Sequence, residues 1–382
     1  MLDYPDVLFE PKRSPLPSRA DITLEREMKF PYSPHTFKGI PIIAANMDGV
    51  GTFSMALVLQ KHKVMTCIRK HYTVEEWDKA FAKGLDPEYT IICTGSNIIH
   101  DPKAKDYVTM QKVVEKHPAL KYICIDVANG YQENFAKFVA QVREEFPHHV
   151  IMAGNVATYE MTEQLILSGA DIVKVGIGPG AVCTTRLKTG VGVPQLTAVI
   201  ECSDAAHSLN GHIIADGGIV HEGDVAKAFG GGADFVMIGS MFAAHAECEE
   251  TFLWNSPDYP NTNGLEVTME NPRTFHYDSS DGRETVPEWG IEEELFVEFY
   301  GMSSERAKEK HGARKDGYRG AEGKLVRLPY RGSIENSIVE LLGDVCSTCT
   351  MIGARTIKAI PKCTVFNVVR NVVNHSYDRY EV

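Results

Sequence analysis

No run of about 18 apolar residues, the length that crosses a bilayer, occurs anywhere in the 382-residue chain. The opening MLDYPDVLFEPKRSP also lacks the apolar core of a secretory signal. A cytoplasmic protein with no membrane partner is expected. Positive charge is scarce: 39 Lys and Arg against 51 Asp and Glu leave a net charge of -12. That balance argues against nucleic acid as a main partner while still allowing a local basic pocket for a phosphate. The nine cysteines, an odd number spread along the chain, form no disulfide framework and read as reduced thiols. Cys346 and Cys349 make one CxxC with no second pair, which fits a core or interface helix better than a zinc site. No GxGxxG with a following acid stands after the first strand pattern, which disfavours an open dinucleotide-binding sheet. Low-complexity tracts are absent too, and the only repeat is a strand–helix rhythm.

That rhythm is the main feature present. Short apolar runs rich in Ile, Val and Cys fall at 41–46, 64–68, 90–95, 121–127, 150–156, 171–176, 212–216 and 234–239. Between most of them lie amphipathic helical patterns such as TVEEWDKAFAKG and NFAKFVAQVREEF. Continuously apolar strands separated by helices imply parallel strands covered on both faces. Eight of them close a (β/α)8 TIM barrel of α/β class. An irregular N-terminal arm leading into a short hairpin precedes it. The chain is read as one catalytic domain over 1–382 with an acidic, aperiodic segment at 248–294, expected as a long loop or small hairpin excursion after strand eight near the barrel mouth. A C-terminal tail follows, with a helix pattern (SIENSIVELLGDVCSTCTMIG) and a strand-like end (CTVFNVV).

Barrel chemistry lies at the carboxyl ends of the strands. Those ends carry Asn46, Met47 and Asp48, then Lys70 and His71, then Asp126 and Asn129, then Gly154 and Asn155, then Cys183. Asp216, Gly217 and Gly218 follow strand seven, and Gly239 and Ser240 follow strand eight, where barrels bind phosphate on exposed backbone amides. The densest stretch is DIVKVGIGPGAVCTTRLKTGVG, residues 171–192. A strand runs into glycines that let backbone groups approach a ligand, then presents Cys183, Thr184, Thr185 and Arg186. On these residues alone Cys183 reads equally as a small buried side chain or as a nucleophile. Ser303 and Ser304, in FYGMSSERAKEKH, are a helix cap or a ligand contact. Glu322, between glycines in YRGAEGK, is an exposed glutamate or a catalytic acid or base. Ser18 and Arg19 read alone as a solvated turn.

The set VLFEPKRSPLPSR, PIIAANMDGVGTFSMA, RKHYTVEEW, CIDVANGY, VKVGIGPGAVCTTRLKTGVGVPQL, FGGGADFVMIGSM, FYGMSS and AEGK resembles the IMP dehydrogenase/GMP reductase family along nearly the whole chain. CTTR, FYGMSSE and RKHYTVEEW look like its reductase branch, and no inserted CBS-type regulatory domain of roughly a hundred residues interrupts the barrel.

The resemblance implies an NADPH-dependent oxidoreductase converting GMP to IMP and ammonia through a thioimidate on Cys183, in a homotetramer. It implies a proton relay of Thr185 and Glu322, and a potassium ion held by carbonyls of Gly178, Gly180 and Cys183, with Arg186 following them in the pattern. It places Asp216 on the ribose and Gly217, Gly218, Gly239 and Ser240 on the phosphate. Gly301, Met302, Ser303, Arg319, Gly320, Ala321 and Gly323 would meet the base. Lys70, Asp126, Val127 and Ala128 would meet the cofactor, with Ser18 and Arg19 reaching in from a neighbouring subunit. The rival readings are an IMP dehydrogenase using NAD and a silent purine-nucleotide-binding protein. The stretch 248–294 is longer than the corresponding loop of compact relatives.

Overall fold

The structure, a computed structural model, describes residues 1–96, 104–249, 252–254, 265–271, 274–279, 282–286, 295–311 and 322–369. Its chain enters through a short strand β1 (Val7–Phe9) and a second strand β2 (Arg26–Lys29) that turns back onto the first barrel strand. The barrel strands follow as β3 (Thr36–Ala44), β4 (Val64–Ile68), β5 (Thr90–Thr94) and β6 (Tyr122–Asp126). Then come β7 (Val150–Val156), β8 (Ile172–Val175), β9 (His212–Asp216) and β10 (Phe235–Ile238). Each pairs parallel with the next, and β10 closes on β3 through Val236 opposite Ile42 and Ile238 opposite Ala44. The eight-stranded (β/α)8 barrel expected from the alternating pattern is therefore present. One strand begins earlier than its apolar run: β3 starts at Thr36 because Arg26–Lys29 pairs antiparallel with Thr36–Gly39 and extends it.

Helices α1 (Phe53–Leu59), α2 (Val74–Ala82), α3 (Lys105–Lys116), α4 (Glu133–Glu145) and α5 (Tyr159–Leu167) follow successive strands. A short α6 (Thr185–Thr189) precedes α7 (Gln195–Ser208), and α8 (Glu222–Gly230) leads to β10. Local chemistry starts these helices: Thr52 accepts the amide of Met55, and Thr73 and Glu76 form a reciprocal capping box at α2. Two apolar layers result. One, with Val139, Leu165, Val199 and Phe229, fills the space between strands and helices. The other, with Ile43, Met65, Ile91, Met152, Ile172, Ile214 and Met237, fills the barrel interior, and Phe30 and Phe37 plug its amino-terminal end. Burial on both faces is what makes the strand sequences continuously apolar.

Part of the stretch beyond strand eight forms strands. β11 (Phe252–Trp254), β12 (Leu265–Asn271), β13 (Thr274–Ser279) and β14 (Gly282–Val286) join β15 (Leu295–Tyr300) and, past α9 (Glu305–Lys310), β16 (Leu325–Pro329). They form a six-stranded antiparallel sheet in the order β14-β13-β12-β11-β15-β16. Hairpin partners are local in sequence, so this sheet needs no barrel-type apolar run to hold it. The tail helix α10 (Ile334–Ile352), capped by Ser333 and ended by the left-handed Gly353, packs between α8 and α1 and completes the helical ring. Beyond α11 (Ile360–Cys363), β17 (Phe366–Val368) pairs antiparallel with β1, tying the tail to the arm. Cys349 of the CxxC is buried on α10, and both of its cysteines are free.

Candidate active site

The carboxyl ends of the barrel strands surround a cavity of about 210 Å³, roofed by the segments around Gly301 and Glu322. Cys183 lines it, delivered by the loop after β8. Two backbone features fix this loop. Gly176 takes φ +153°, and a Cβ there would meet the Asp216 carbonyl at 2.1 Å. Gly178, at φ +76°, leaves room for the Arg186 stem, whose Cγ would lie 2.7 Å from a Cβ at that position. The Arg186 guanidinium binds the carbonyl of Val193 (2.6 Å) and Asp3 Oδ2 (3.0 Å), which clamps the loop to the N-terminal arm.

Around the thiol the polar groups form a chain. Cys183 Sγ donates to Thr185 Oγ1 at 3.2 Å, and Thr185 Oγ1 donates to Glu322 Oε2 at 2.7 Å. Glu322 is 137 residues away in sequence from Thr185. It arrives because Gly323 pairs with Cys183 in an antiparallel bridge: Thr184 donates to the Glu322 carbonyl (2.9 Å) and Lys324 to that of Val182 (2.8 Å). The Glu322 amide also donates to the Ser303 carbonyl at 3.1 Å, so the segments carrying Gly301, Ser303 and Glu322 form one roof. In this kind of bridge the N–H and C=O of Cys183 point away from Gly323. The N–H goes to the Gly180 carbonyl at 3.0 Å.

The floor is ionic. Lys174, on β8, is 1% exposed; its Nζ lies 2.6 Å from Asp126 Oδ1, 3.4 Å from Asp216 Oδ2 and 3.4 Å from Asn46 Oδ1. Burial opposes charge on this lysine, but Asp126 and then Asp216 outweigh it and hold its pKa well above the ordinary value. The same ammonium, working against burial, holds the Asp126 carboxyl below its ordinary range. Asn155 Nδ2 donates to Asp216 Oδ2 at 2.8 Å and fixes that carboxylate further. Sequence reading singled out neither Lys174 nor the bond from Asn155. The signal available was a lysine inside the otherwise apolar run DIVKVG.

The expected nucleotide contacts gather here. Asp216, Gly217, Gly218, Gly239, Ser240, Gly301, Met302 and Ser303 line the cavity with Cys183 and Glu322. Gly217 and Gly218 are consecutive left-handed residues at φ +88° and +79°, a geometry glycine alone adopts easily. Gly323 sits in the roof beside Gly301, whereas Arg319, Gly320 and Ala321 lie outside the described residues. Asp126 lines the cavity, and Val127 exchanges backbone bonds with Gly154 and Asn155 next to it. Ala128 is exposed just beyond, and the Lys70 ammonium approaches Gly95 and bears on Asp126. Ser18 and Arg19 are elsewhere within this chain: Ser18 caps a single helical turn, Arg19–Asp21, that packs against α10. The Arg186 carbonyl accepts the Gly190 amide, closing α6.

A second polar cluster adjoins the roof. Asp48, 1% exposed, accepts from Tyr300 Oη (2.9 Å) and His311 Nε2 (2.6 Å), and the His311 ring stacks on His71 at 3.5 Å. Burial works against the Asp48 charge, but the bond from His311 holds its carboxyl below the ordinary range. This cluster anchors α9, the element that leads toward Glu322.

A thiol, a hydroxyl and a carboxylate in series, set over an ionic floor at the carboxyl end of parallel strands, define a (β/α)8 barrel with a nucleophile site. The profile of the IMP dehydrogenase / GMP reductase domain matches residues 1–295. Among curated proteins, a GMP reductase of Caenorhabditis elegans is 48% identical over 381 residues, covering 100% of this chain and 95% of its own length. One from Tolumonas auensis is 49% identical over 378 residues, covering 98% and 97%. Human GMP reductase 1 is 49% identical over 368 residues, covering 96% and 94%. The chain belongs to the IMP dehydrogenase/GMP reductase family.

Proposed function

We propose that this chain is a GMP reductase: an NADPH-dependent oxidoreductase that converts GMP, NADPH and a proton to IMP, ammonia and NADP. Full-length identity near one half to GMP reductases supports the activity. The observation that carries the chemistry is the continuous path from Cys183 through Thr185 to Glu322. In this reading the thiol passes its proton along that path as sulfur attacks C2 of the purine. An amine leaves poorly unless protonated, so the same path returns a proton to the 2-amino nitrogen. The C2–N bond breaks, ammonia departs, and a thioimidate remains on Cys183. When bound, the dihydronicotinamide supplies the hydride that C2 accepts. The C2–S bond then breaks, the sulfur leaves as thiolate, and the proton consumed overall reaches it from solvent, restoring the Cys183 thiol and releasing IMP.

Asp216 holds the ribose hydroxyls, and the amides of Gly217, Gly218, Gly239 and Ser240 hold the phosphate. Gly301, Met302 and Ser303 contact the base, joined by Arg319, Gly320, Ala321 and Gly323. Asp126, Val127, Ala128 and Lys70 position the cofactor, and an ammonium such as that of Lys70 suits a 2′-phosphate. Lys174 is a positioning residue that joins the ribose side to the cofactor side.

The loop fits a potassium ion by its chemistry: Gly178 turns left-handed, and the Cys183 carbonyl faces away from the roof strand. Carbonyl oxygens of Gly178, Gly180 and Cys183, with Arg186 next in the loop, would hold the ion and shape the loop. Ser18 and Arg19 are assigned to the cofactor site of a neighbouring copy in a homotetramer. Among the described residues no helix is long and apolar enough to cross a membrane, and the location assigned to the chain is cytoplasmic. The test is absorbance at the nicotinamide band with GMP, NADPH and potassium, run beside IMP with NAD. Loss of NADPH with equimolar ammonia and IMP is expected. Growth of NADH in the parallel assay alone would make the chain a dehydrogenase, and silence in both a nucleotide-binding protein.

A further inference from the structure

Three thiols that the proposed reaction does not use lie beneath the active-site cavity. Cys67 on β4, Cys93 on β5 and Cys124 on β6 point into the barrel from three adjacent strands. Cys93 stands directly opposite Cys124, and Cys67 stands opposite Ile91, two residues before Cys93 on the same inward face. Their sulfurs all lie within 4.8 Å of one another, and the three residues are 0%, 3% and 0% exposed. Metal–sulfur bonds of about 2.3 Å set tetrahedrally arranged sulfurs about 3.8 Å apart, so the cluster matches a thiolate cage with little movement.

The surroundings are those a buried anionic site needs. Asn46 Nδ2 donates to Cys93 Sγ at 3.2 Å, and Lys174 stands at the same end of the barrel. Ligand sulfurs in metal sites are typically held by such outer hydrogen bonds and charges. Asn46 also lines the active-site cavity, so it is the residue between the cluster and that cavity. A purely apolar role for three small side chains does not account for the amide donor aimed at Cys93 Sγ.

We propose that Cys67, Cys93 and Cys124 form a binding site for one thiophilic divalent ion of the zinc class, under the floor of the active-site cavity. Three thiolates bind the ion, the displaced thiol protons leave to solvent, and the fourth position faces Asn46 and the cavity. Soft sulfur ligands select such ions over magnesium or calcium. The site is independent of the reaction assigned above.

Cadmium is the probe, because its bonds to thiolate sulfur absorb in the ultraviolet. Reduced full-length protein carrying Cys183→Ala, which removes the active-site thiol, is titrated with Cd²⁺ under argon. The charge-transfer band is expected to saturate at one ion per chain, with a ¹¹³Cd resonance in the range of three-sulfur coordination. In the same background Cys93→Ser should weaken binding at least about tenfold and remove about one third of the band, as loss of one ligand in three requires. Cys346→Ala with Cys349→Ala should leave both signals in place. A reduced, folded protein without the band overturns the proposal, as does a band equally strong and tight in Cys67→Ala and Cys93→Ser. If neither variant folds, the resonance of the Cys183→Ala protein decides: coordination by fewer than three sulfurs overturns the site.

Discussion

Replacing Lys174 with methionine removes the cation from the floor of the cavity while keeping most of the stem's bulk. Lys174 is 2% exposed in its side chain, whereas Asp126 and Asp216, its partners at 2.6 and 3.4 Å, are 30% and 21% exposed. Removing one partner of a buried ion pair costs about 3–5 kcal/mol. Water reaching the two carboxylates recovers part of that, so Lys174→Met is expected to lose about 2–3 kcal/mol of stability. At an unfolding entropy of about 2.1 cal/mol/K per residue this lowers Tm by about 3 °C. The pH dependence has a definite sign. The Asp126 carboxyl is depressed in the folded protein by Lys174, against burial, so its contribution is present above the ordinary carboxyl pKa and fades as pH falls through the folded value. The deficit of the variant should therefore be full at neutral pH and shrink in acid. Adding Asp126→Asn should recover stability by neutralising the orphaned carboxylate, without restoring turnover. If the same imbalance persists with substrate bound, kcat/KM falls roughly 30- to 160-fold. Thermal melts at neutral and acid pH, with nicotinamide absorbance for turnover, decide it. A variant as stable as the parent at neutral pH, or a deficit that grows on acidification, would refute the reasoning.

Thr185→Val interrupts the path between Cys183 and Glu322, so kcat should drop roughly 10²- to 10⁴-fold with little change in GMP affinity by calorimetry; a drop under about threefold would remove Thr185 from the relay. Cys183→Ala should keep GMP affinity and abolish NADPH oxidation, whereas loss of binding would show that the thiol serves the pocket's shape. Asp48→Asn weakens the bonds from His311 and Tyr300 to a buried carboxylate, with an expected cost of about 1.5–3 kcal/mol in chemical denaturation. An unchanged midpoint would place the anchoring of α9 elsewhere. His149 is pushed down to about 4 by burial, with His35 and Arg143 adding to it. Because this value lies below the ordinary one of 6.5, the folded state loses stability as pH falls between the two, and His149→Gln should flatten that limb of the melting profile.

Much of the barrel and part of the site were legible from local sequence. The apolar runs mark strands because parallel strands under helices bury both faces, and the glycines at 176, 178, 217 and 218 mark turns because other residues rarely adopt their angles. The extent of β3 was not legible, since its first residues are held by pairing with β2 rather than by an apolar pattern. The number and order of the strands after β10 were not legible beyond a small hairpin, because hairpin pairing tolerates polar, acidic sequence that carries no barrel periodicity.

The sequence by itself determined that eight strands face helices on one side and each other on the inside, and that Cys183 leaves a strand through a glycine loop. Backbone conformation and burial periodicity act over a few residues, so local sequence carries them. The family resemblance named Thr185 and Glu322 together, but only the tertiary structure decided how Glu322 reaches Thr185 across 137 positions, through the bridge between Cys183 and Gly323. It also decided that Lys174 is the counter-charge of Asp126 and Asp216, and that Cys67, Cys93 and Cys124 converge. Barrel closure brings carboxylates, ammonium and thiols from separate strands to one end, where short distances under low exposure make them act on one another.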